Sequence, residues 1–289
     1  MDPCGKRVRK KREKRIVIAV TLSLIIGFII GVAFSVVFQN YEIVISQNDK
    51  RSTEKHINRD NDVNAPPGTK NQEVITMTEK SKKIVAIDAG HQQKGNFEKE
   101  PVGPGSSQMK AKVSGGTVGV ATKKPEYQVT LDVAILLEQE LLKRGYEVVM
   151  IRRTNDVDIS NSQRAIVAKN AQADAFIRIH CNGIENGAVK GALTMCQTKN
   201  NKYCGDLYKE SRTLSECVID SLCEQTGAKN LGVAENDDMS GINWSSVPVT
   251  IVEMGFMTNP EEDKLLCDPI YQRNLAIGIA NGIDDFFEL

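Results

Sequence analysis

The chain has 289 residues, of which 40% are apolar and 26% are charged, with 37 basic against 37 acidic side chains. This composition excludes collagen-like chains, wholly disordered chains and membrane proteins with many spans, while the length allows one large domain or two small ones. The charge is uneven, because residues 1–15 hold eight Lys and Arg against two acidic residues and leave a net charge of −6 on the rest. A mildly acidic body argues against nucleic acid as a partner.

An uncharged apolar run of 23 residues follows the basic segment, at 16–38. As a helix it would extend about 35 Å, enough to cross a hydrocarbon core of roughly 30 Å. The basic segment should stay in the cytoplasm, so we predict a single-pass membrane anchor with the remaining chain outside the cytoplasm. The alternative is a cleaved signal peptide, with a secreted protein as the product. Its apolar region would normally span about 7–15 residues, which favours the anchor.

Residues 39–82 are polar and mixed in charge, and we interpret them as a flexible tether to a folded domain at 83–289. The exported part carries six of the seven cysteines. Six cysteines allow 15 disulfide connectivities, and buried free thiols are an equally good interpretation. The six are Cys181, Cys196, Cys204, Cys217, Cys223 and Cys267.

Strand-like and helix-like segments alternate through the folded domain. Such alternation predicts an α/β fold with a mostly parallel sheet covered by helices on both faces. Ser160 and Gln163 have the spacing of a capping box that begins a helix. The predicted strands are 83–87, 147–151, 175–179, 189–195 and 248–252, and the predicted helices are 126–144, 160–171, 207–225, 260–267 and 269–287.

Residues 92–124 depart from this alternation, because they are rich in Gly, Ser and Lys. We predict a long loop here, and loops of this length in a compact domain are usually functional or disordered. It begins directly after His91 and ends directly before Pro125, so we expect it to border the functional site. Its lysines would attract anionic polymers, unless they are merely solvated: Lys94, Lys99, Lys110, Lys112, Lys123 and Lys124.

Three reactive side chains follow apolar strand segments directly: His91, His180 and Glu253. In open α/β sheets, ligands bind at the carboxyl ends of the strands. A single His or Glu at a strand end is more often a hydrogen-bonded structural residue. The coincidence of three such residues favours a functional site.

Two histidines and one carboxylate are a common ligand set for catalytic zinc. Glu126 is the candidate carboxylate, since Pro125 suits the first helical position and would place Glu126 in the first turn. The alternative is that Glu126 only stabilises the start of this helix.

Four ordered motifs together resemble one family. They are Asp88–His91, Glu126 at the start of a long helix, Phe176–Asn182 and Val252–Glu262. The chain over 83–289 is similar to the zinc-dependent N-acetylmuramoyl-L-alanine amidases, bacterial enzymes that detach the stem peptide from peptidoglycan. The resemblance implies a three-layer α/β/α domain, zinc ligands at His91, Glu126 and His180, and a catalytic role for Glu253. Gln92 and Gln93 depart from the family pattern, in which two glycines commonly follow the first histidine.

The resemblance implies zinc-assisted hydrolysis of the amide between N-acetylmuramic acid and L-alanine, with Glu253 moving the proton. Peptidoglycan is then the expected substrate, and the sequence does not tell whether a protein regulates the enzyme. A cysteine hydrolase using Cys181 and His180 is disfavoured, because adjacent residues on a strand point to opposite faces. The other alternative is a non-catalytic wall-binding or activator protein on the same fold. Retention of all four expected site residues argues against it, whereas a missing Glu253 would have supported it.

Overall fold

The computed structural model describes residues 82–288 of the chain. The predicted cytoplasmic segment 1–15, the predicted membrane anchor 16–38 and the predicted tether, apart from its last residue, lie outside the described residues. Within 82–288, no helix combines the length and the apolar character needed to cross a membrane.

Strands and helices alternate along the described chain as the sequence predicts. The strands are β1 (Ile84–Ala89), β2 (Asn96–Pro101), β3 (Met109–Val113), β4 (Glu147–Met150), β5 (Ala175–Asn182), β6 (Ala192–Cys196), β7 (Asn230–Glu235) and β8 (Val249–Phe256). The helices are α1 (Glu126–Lys143), α2 (Asn161–Asn170), α3 (Tyr208–Thr226), α4 (Ser240–Asn243), α5 (Pro260–Leu266) and α6 (Pro269–Glu288), with a 3₁₀ turn at Gly205–Leu207 before α3.

Six strands form the main sheet, in the order β4-β1-β5-β8-β6-β7. β1 is parallel to β4 and β5, β8 is parallel to β5, and β7 is parallel to β6. Only the pairing of β6 with β8 is antiparallel within this sheet. The prediction of a mostly parallel sheet is therefore confirmed.

Alternate residues of the central strands contribute to two separate apolar cores, one on each face of the sheet. Ile177 and Ile179 of β5 pack with residues of α1, α3 and α6, whereas Phe176 packs with residues of α2 and α4. Because successive strand side chains point to opposite faces, one strand serves both cores. The result is an α/β/α arrangement, with Phe176, Arg178 and His180 sharing the α2 face of the sheet.

The prediction of a loop over 92–124 was wrong in its central part. β2 and β3 lie within this segment and pair with each other as an antiparallel hairpin, separate from the main sheet. Most side chains of the hairpin are exposed or only partly buried. With no broad buried face, the segment lacks the apolar alternation by which strands are recognised in a sequence. The Trp244 indole anchors the hairpin by donating a hydrogen bond to the Pro101 carbonyl (2.9 Å).

The predicted starts of α1 and α2 are confirmed, with one correction at Pro125. Ser160 and Gln163 form the predicted reciprocal capping box at the start of α2. Pro125 is the N-cap residue of α1 rather than its first helical residue, because its ψ of 147° is extended. Glu126 is consequently the first residue of the helix. All six cysteines of the described region are free thiols, and no disulfide links them.

Candidate metal centre

Three neighbouring parallel strands carry the predicted site residues to one rim of the sheet. His91 comes two residues after β1, His180 lies near the end of β5, and Glu253 lies in the second half of β8. His180 and Glu253 are register partners across the β5–β8 pair. The strand-end prediction therefore identifies the right rim, although β5 and β8 each continue past the residue in question.

His91, Glu126 and His180 converge on one point. His91 Nε2 lies 3.0 Å from Glu126 Oε1, His180 Nδ1 lies 3.1 Å from His91 Nε2, and His180 Nδ1 lies 3.3 Å from Glu126 Oε1. Ligands about 2.0–2.1 Å from a tetrahedral zinc ion lie roughly 3.3 Å from one another. Within the described residues, this is a group of His and carboxylate side chains able to hold a metal ion. The donor set and its spacing fit zinc.

The imidazole of His91 is held with one nitrogen toward the cluster. Its Nδ1 lies 3.0 Å from the Ser114 carbonyl oxygen and 3.2 Å from Ser114 Oγ. Since a carbonyl only accepts, Nδ1 carries the proton and Nε2 keeps a free lone pair, as a metal ligand requires. His91 also has a left-handed backbone (φ 61°), which is unusual for a residue with a side chain and is typical of functional sites.

The carboxylate of Glu126 is oriented by two backbone amides. Thr117 N–H donates to its Oε2 (2.8 Å), and Cys181 N–H donates to its Oε1 (3.0 Å). Burial alone would raise the pKa of Glu126, but the hydrogen bonds and charges of His180 and His91 hold it well below its ordinary value. Glu126 is therefore ionised and ready to bind a cation.

The imidazole of His180 packs against the backbone of Gly90. A Cβ atom at Gly90 would fall within the van der Waals radius of the His180 ring, so this position admits only glycine. Burial, as the largest cause, lowers the pKa of His180 to about 4. The imidazole is therefore neutral near pH 7, which is the form that binds metals.

Glu253 stands beside the cluster without joining it. Burial and, second, the negative charge of Glu126 raise its pKa to about 8. Its Oε2 is buried and finds no hydrogen-bond partner among residues 82–288, and the same holds for His180 Nε2. Buried polar atoms without partners are costly, and at a cleft they indicate a position that a ligand or water completes.

Two cavities of about 370 Å³ open onto the site, and His91, His180 and Glu253 line both of them. The first also includes Lys110 and Ser114 from the 92–124 segment. The prediction that this segment borders the site is therefore confirmed. Its other lysines are engaged elsewhere or lie outside this cavity: Lys112 pairs with Glu98, Lys124 pairs with Asp132, and Lys123 donates to the Val120 carbonyl.

A buried polar network beneath the cluster was not predicted from the sequence. Asp88 accepts from Arg164 (2.6 Å) and from Arg178 (2.9 Å), and Arg164 also donates to the His91 carbonyl (3.0 Å). Arg152 donates to the carbonyls of Ala89 and Gly90. These bonds hold the turn that carries His91. A signal was available for Arg178, because a charged residue inside an apolar strand segment requires a buried partner.

Gln92 explains how the chain tolerates its departure from the family pattern after His91. Its side chain is buried, accepts from Ile159 N–H (3.1 Å) and Arg164 Nη2 (3.0 Å), and donates to the Lys94 carbonyl (3.0 Å). It therefore ties the start of the 92–124 segment to α2 without displacing a cluster residue.

Comparison with known proteins relates this chain to one enzyme family. The N-acetylmuramoyl-L-alanine amidase family model matches residues 85–285. The germination-specific N-acetylmuramoyl-L-alanine amidase of Bacillus subtilis is 28% identical over 224 residues, covering 72% of this chain and 81% of the relative. The B. subtilis N-acetylmuramoyl-L-alanine amidase LytC is 27% identical over 162 residues, covering 56% of this chain but only 31% of LytC.

A solved structure supports the same grouping at the level of the fold. The amidase Ami1 of Mycobacterium smegmatis superposes with a TM-score of 0.65 at 23% identity, covering 71% of this chain and 97% of that one. The family match over 85–285 includes all four predicted site residues and all but the extreme ends of the described strands and helices. The chain belongs to the N-acetylmuramoyl-L-alanine amidase family.

Proposed function

We propose that this protein is a zinc-dependent hydrolase that cleaves the amide bond between N-acetylmuramic acid and L-alanine in peptidoglycan. The observation that carries the proposal is the three-donor cluster of His91, Glu126 and His180 with the buried carboxyl group of Glu253 beside it. The family match and the names of the relatives supply the substrate class.

His91, Glu126 and His180 would hold the zinc ion. When bound, zinc supplies a Lewis acid for the scissile carbonyl and lowers the pKa of the attacking water toward about 7. The protein contributes a preset ligand geometry, since Ser114 orients His91 while the amides of Thr117 and Cys181 orient Glu126. Fixed outer contacts of this kind keep the donors in place before the ion arrives.

Glu253 would act as the general base and then as the general acid. It accepts a proton from the attacking water and delivers it to the departing amine of L-alanine. A catalytic group works best when its pKa lies near the working pH, and burial has brought the pKa of Glu253 close to neutrality. A divalent cation nearby would lower this pKa and favour the ionised form needed for the first step.

The two alternative functions lack such support. A cysteine hydrolase needs a thiolate, whereas burial raises the pKa of the Cys181 thiol well above its ordinary value. A non-catalytic wall-binding protein would have no use for a buried carboxyl group with an unpaired oxygen beside a metal cluster. The geometry therefore favours hydrolysis.

The test is removal and return of the metal. The full-length protein is treated with a chelator and then restored with zinc, and the release of amino groups from purified peptidoglycan is followed. We expect the activity to disappear and return, with close to one zinc per chain. His91→Ala and His180→Ala should lose both zinc and activity, because two ligands hold the ion poorly. Activity that survives chelation would contradict the proposal.

We further propose that residues 16–38 anchor the protein in the cell membrane and that 39–82 form a tether to the extracytoplasmic catalytic domain at 83–289. The support is the run of 23 uncharged residues next to a segment with a net charge of +6. Protease added to wall-stripped cells should release a soluble domain from the membrane. A mature protein that begins near residue 39 would instead establish signal cleavage and secretion.

A further inference from the structure

Arg178 is a buried arginine whose guanidinium is only partly used by the protein. It lies two residues before His180 on β5, on the same face of the sheet. Its Nε donates to Asp88 (2.9 Å) and its Nη2 donates to Asn161 (2.9 Å), while Nη1 has no hydrogen-bond acceptor among residues 82–288. The side chain is 4% exposed. The N–H groups of Nη1 are therefore free to donate to an acceptor that enters the cavity.

The charge of Arg178 is only partly balanced by its neighbours. Asp88 is its ion-pair partner, but the same carboxylate also pairs with the fully buried Arg164. Asn161, its other acceptor, is neutral. One carboxylate therefore serves two buried guanidinium groups, and among residues 82–288 Arg178 makes no second ion pair.

Arg178 lines the cavity of about 370 Å³ that also contains His91, His180 and Glu253. The backbone of Gly241 packs so closely on its guanidinium that a Cβ atom there would overlap it. This contact fixes the guanidinium in the cavity wall.

A second cation lines the same cavity from the hairpin. Lys110 of β3 donates to the backbone carbonyl of Asp238 (2.5 Å), and among residues 82–288 it forms no salt bridge. The Asp238 side chain, which also lines the cavity, accepts from Gln108 (3.4 Å). The cavity therefore has a buried guanidinium in one wall and a partly buried ammonium in another, together with the acidic side chains of Asp238 and Glu253.

We propose that this cavity is a subsite for a carboxylate group carried by the peptide part of the substrate, bound by Arg178 and Lys110. The proposal rests on the proposed function. The Cα atoms of residues two apart on a strand lie about 6–7 Å from each other, so Arg178 and His180 place the subsite and the metal cluster side by side on one face of the sheet. A carboxylate a few bonds beyond the scissile amide would reach it. Arginine is well suited to carboxylates because its planar N–H groups match the carboxylate oxygens.

The experiment uses two synthetic muramoyl peptides that differ only in the carboxyl group nearest the scissile amide. It is a free carboxylate in one peptide and a carboxamide in the other. The zinc-loaded full-length protein should hydrolyse the acid with a kcat/KM about 10- to 100-fold higher, mainly through a lower KM, as expected for one charge-assisted hydrogen bond. Arg178→Gln should remove most of this preference. The readout is the ratio of the two kcat/KM values, because any disturbance of the buried network that Arg178 shares with Asp88 would slow both peptides alike and leave the ratio unchanged.

Two further variants keep the test decisive if Arg178→Gln does not fold. Lys110→Gln should reduce the preference about 2- to 5-fold, since partly exposed charges are weaker. Lys169→Gln removes an exposed lysine of α2 that lies outside the cavity and should leave the preference unchanged. Equal effects of Lys110→Gln and Lys169→Gln on the preference would overturn the role of Lys110.

The possible outcomes distinguish failure of the carboxylate subsite from failure of the proposed function. If the wild-type protein hydrolyses neither peptide, the proposed function is wrong. If it hydrolyses both at equal rates, the hydrolase stands and the carboxylate subsite is wrong. Inhibition by inorganic phosphate with no preference between the two peptides would indicate a phosphate site instead, which also overturns the proposal.

Discussion

His180 of β5 and Glu253 of β8 are paired residues on neighbouring parallel strands. The strand register alone therefore sets the proposed general base beside a proposed metal ligand, with no loop between them. Both residues lie on paired strands, and sites built on strands hold their side chains more precisely than sites built on loops. Metal binding and proton transfer are thus assigned to different residues, so a substitution of Glu253 can leave the three proposed metal ligands intact.

Glu253→Gln should separate metal binding from hydrolysis. Glutamine keeps the size and much of the hydrogen bonding of glutamate, but it cannot take up a proton. We expect the variant to retain its zinc and its fold while the hydrolysis rate falls about 10²- to 10⁴-fold. Zinc content and initial rate on purified peptidoglycan are measured on the same preparation. Hydrolysis at the parent rate would remove Glu253 from the mechanism.

Gly90→Ala should damage the cluster from the backbone side. The added methyl group would overlap the His180 ring, which must then move away from His91 and Glu126. Overpacking of this kind costs about 1–3 kcal/mol in the free energy of unfolding, and it should also weaken zinc binding. The matched control is Gly115→Ala, because a Cβ atom at Gly115 meets no atom within 4 Å. Competition with a chelator measures the zinc affinity of each variant. Equal zinc affinities of Gly90→Ala and Gly115→Ala would contradict the packing argument.

Asp88→Asn should destabilise the protein in a pH-dependent way. Burial would raise the pKa of Asp88, but the charges of Arg164 and Arg178 outweigh it and hold the pKa well below the ordinary value of 3.8. A lowered folded-state pKa gives stability that is present above about pH 4 and is lost as the pH falls further. Removing the charge from this buried network should cost about 3–5 kcal/mol at pH 7.

Urea unfolding of the parent protein and of Asp88→Asn at pH 7, 4 and 3 checks the direction of this pH dependence. The difference in the free energy of unfolding between the two proteins should be largest at pH 7 and should narrow below pH 4. A difference that stays constant with pH would show that the Asp88 charge does not contribute in the expected way.

Cys181→Ala should leave hydrolysis nearly unchanged. The thiol is buried with a raised pKa, and the residue serves the site only through its backbone N–H, which donates to Glu126 and survives the substitution. Loss of a small buried side chain should cost about 1–2 kcal/mol of stability at most. The rate on peptidoglycan is compared with that of the parent, and loss of hydrolysis in a folded, zinc-loaded variant would revive the cysteine mechanism.

The sequence predicts those parts of the fold that bury a regular apolar face. β5 and α1 were recognised because their apolar residues recur at strand and helix spacing, and both lie against the cores. β2 and β3 were missed because the hairpin is largely exposed and pairs only with itself. The edge strand β7 was missed for a similar reason, since none of its residues is fully buried.

The site also contains residues that a local sequence pattern predicts and contacts that only the fold creates. His91, His180 and Glu253 could be predicted because each comes at or near the end of an apolar strand, where parallel topology gathers ligands. The donors to Glu126 could not be predicted, because they are backbone amides of Thr117 and Cys181, brought together by the fold rather than by residue type. Sequence patterns record side chains and carry little information about such amides.

The identity of the bond that is cut tests the central claim most directly. Purified peptidoglycan is digested with the full-length protein in three states, namely zinc-loaded, chelated and zinc-restored, and the products are identified by mass spectrometry. We predict peptides with a free L-alanine amino terminus and glycan strands without peptide, formed in the zinc-loaded and zinc-restored digests and absent from the chelated one. Products cut within the peptide or within the glycan, or the same products in the chelated digest, would contradict the account.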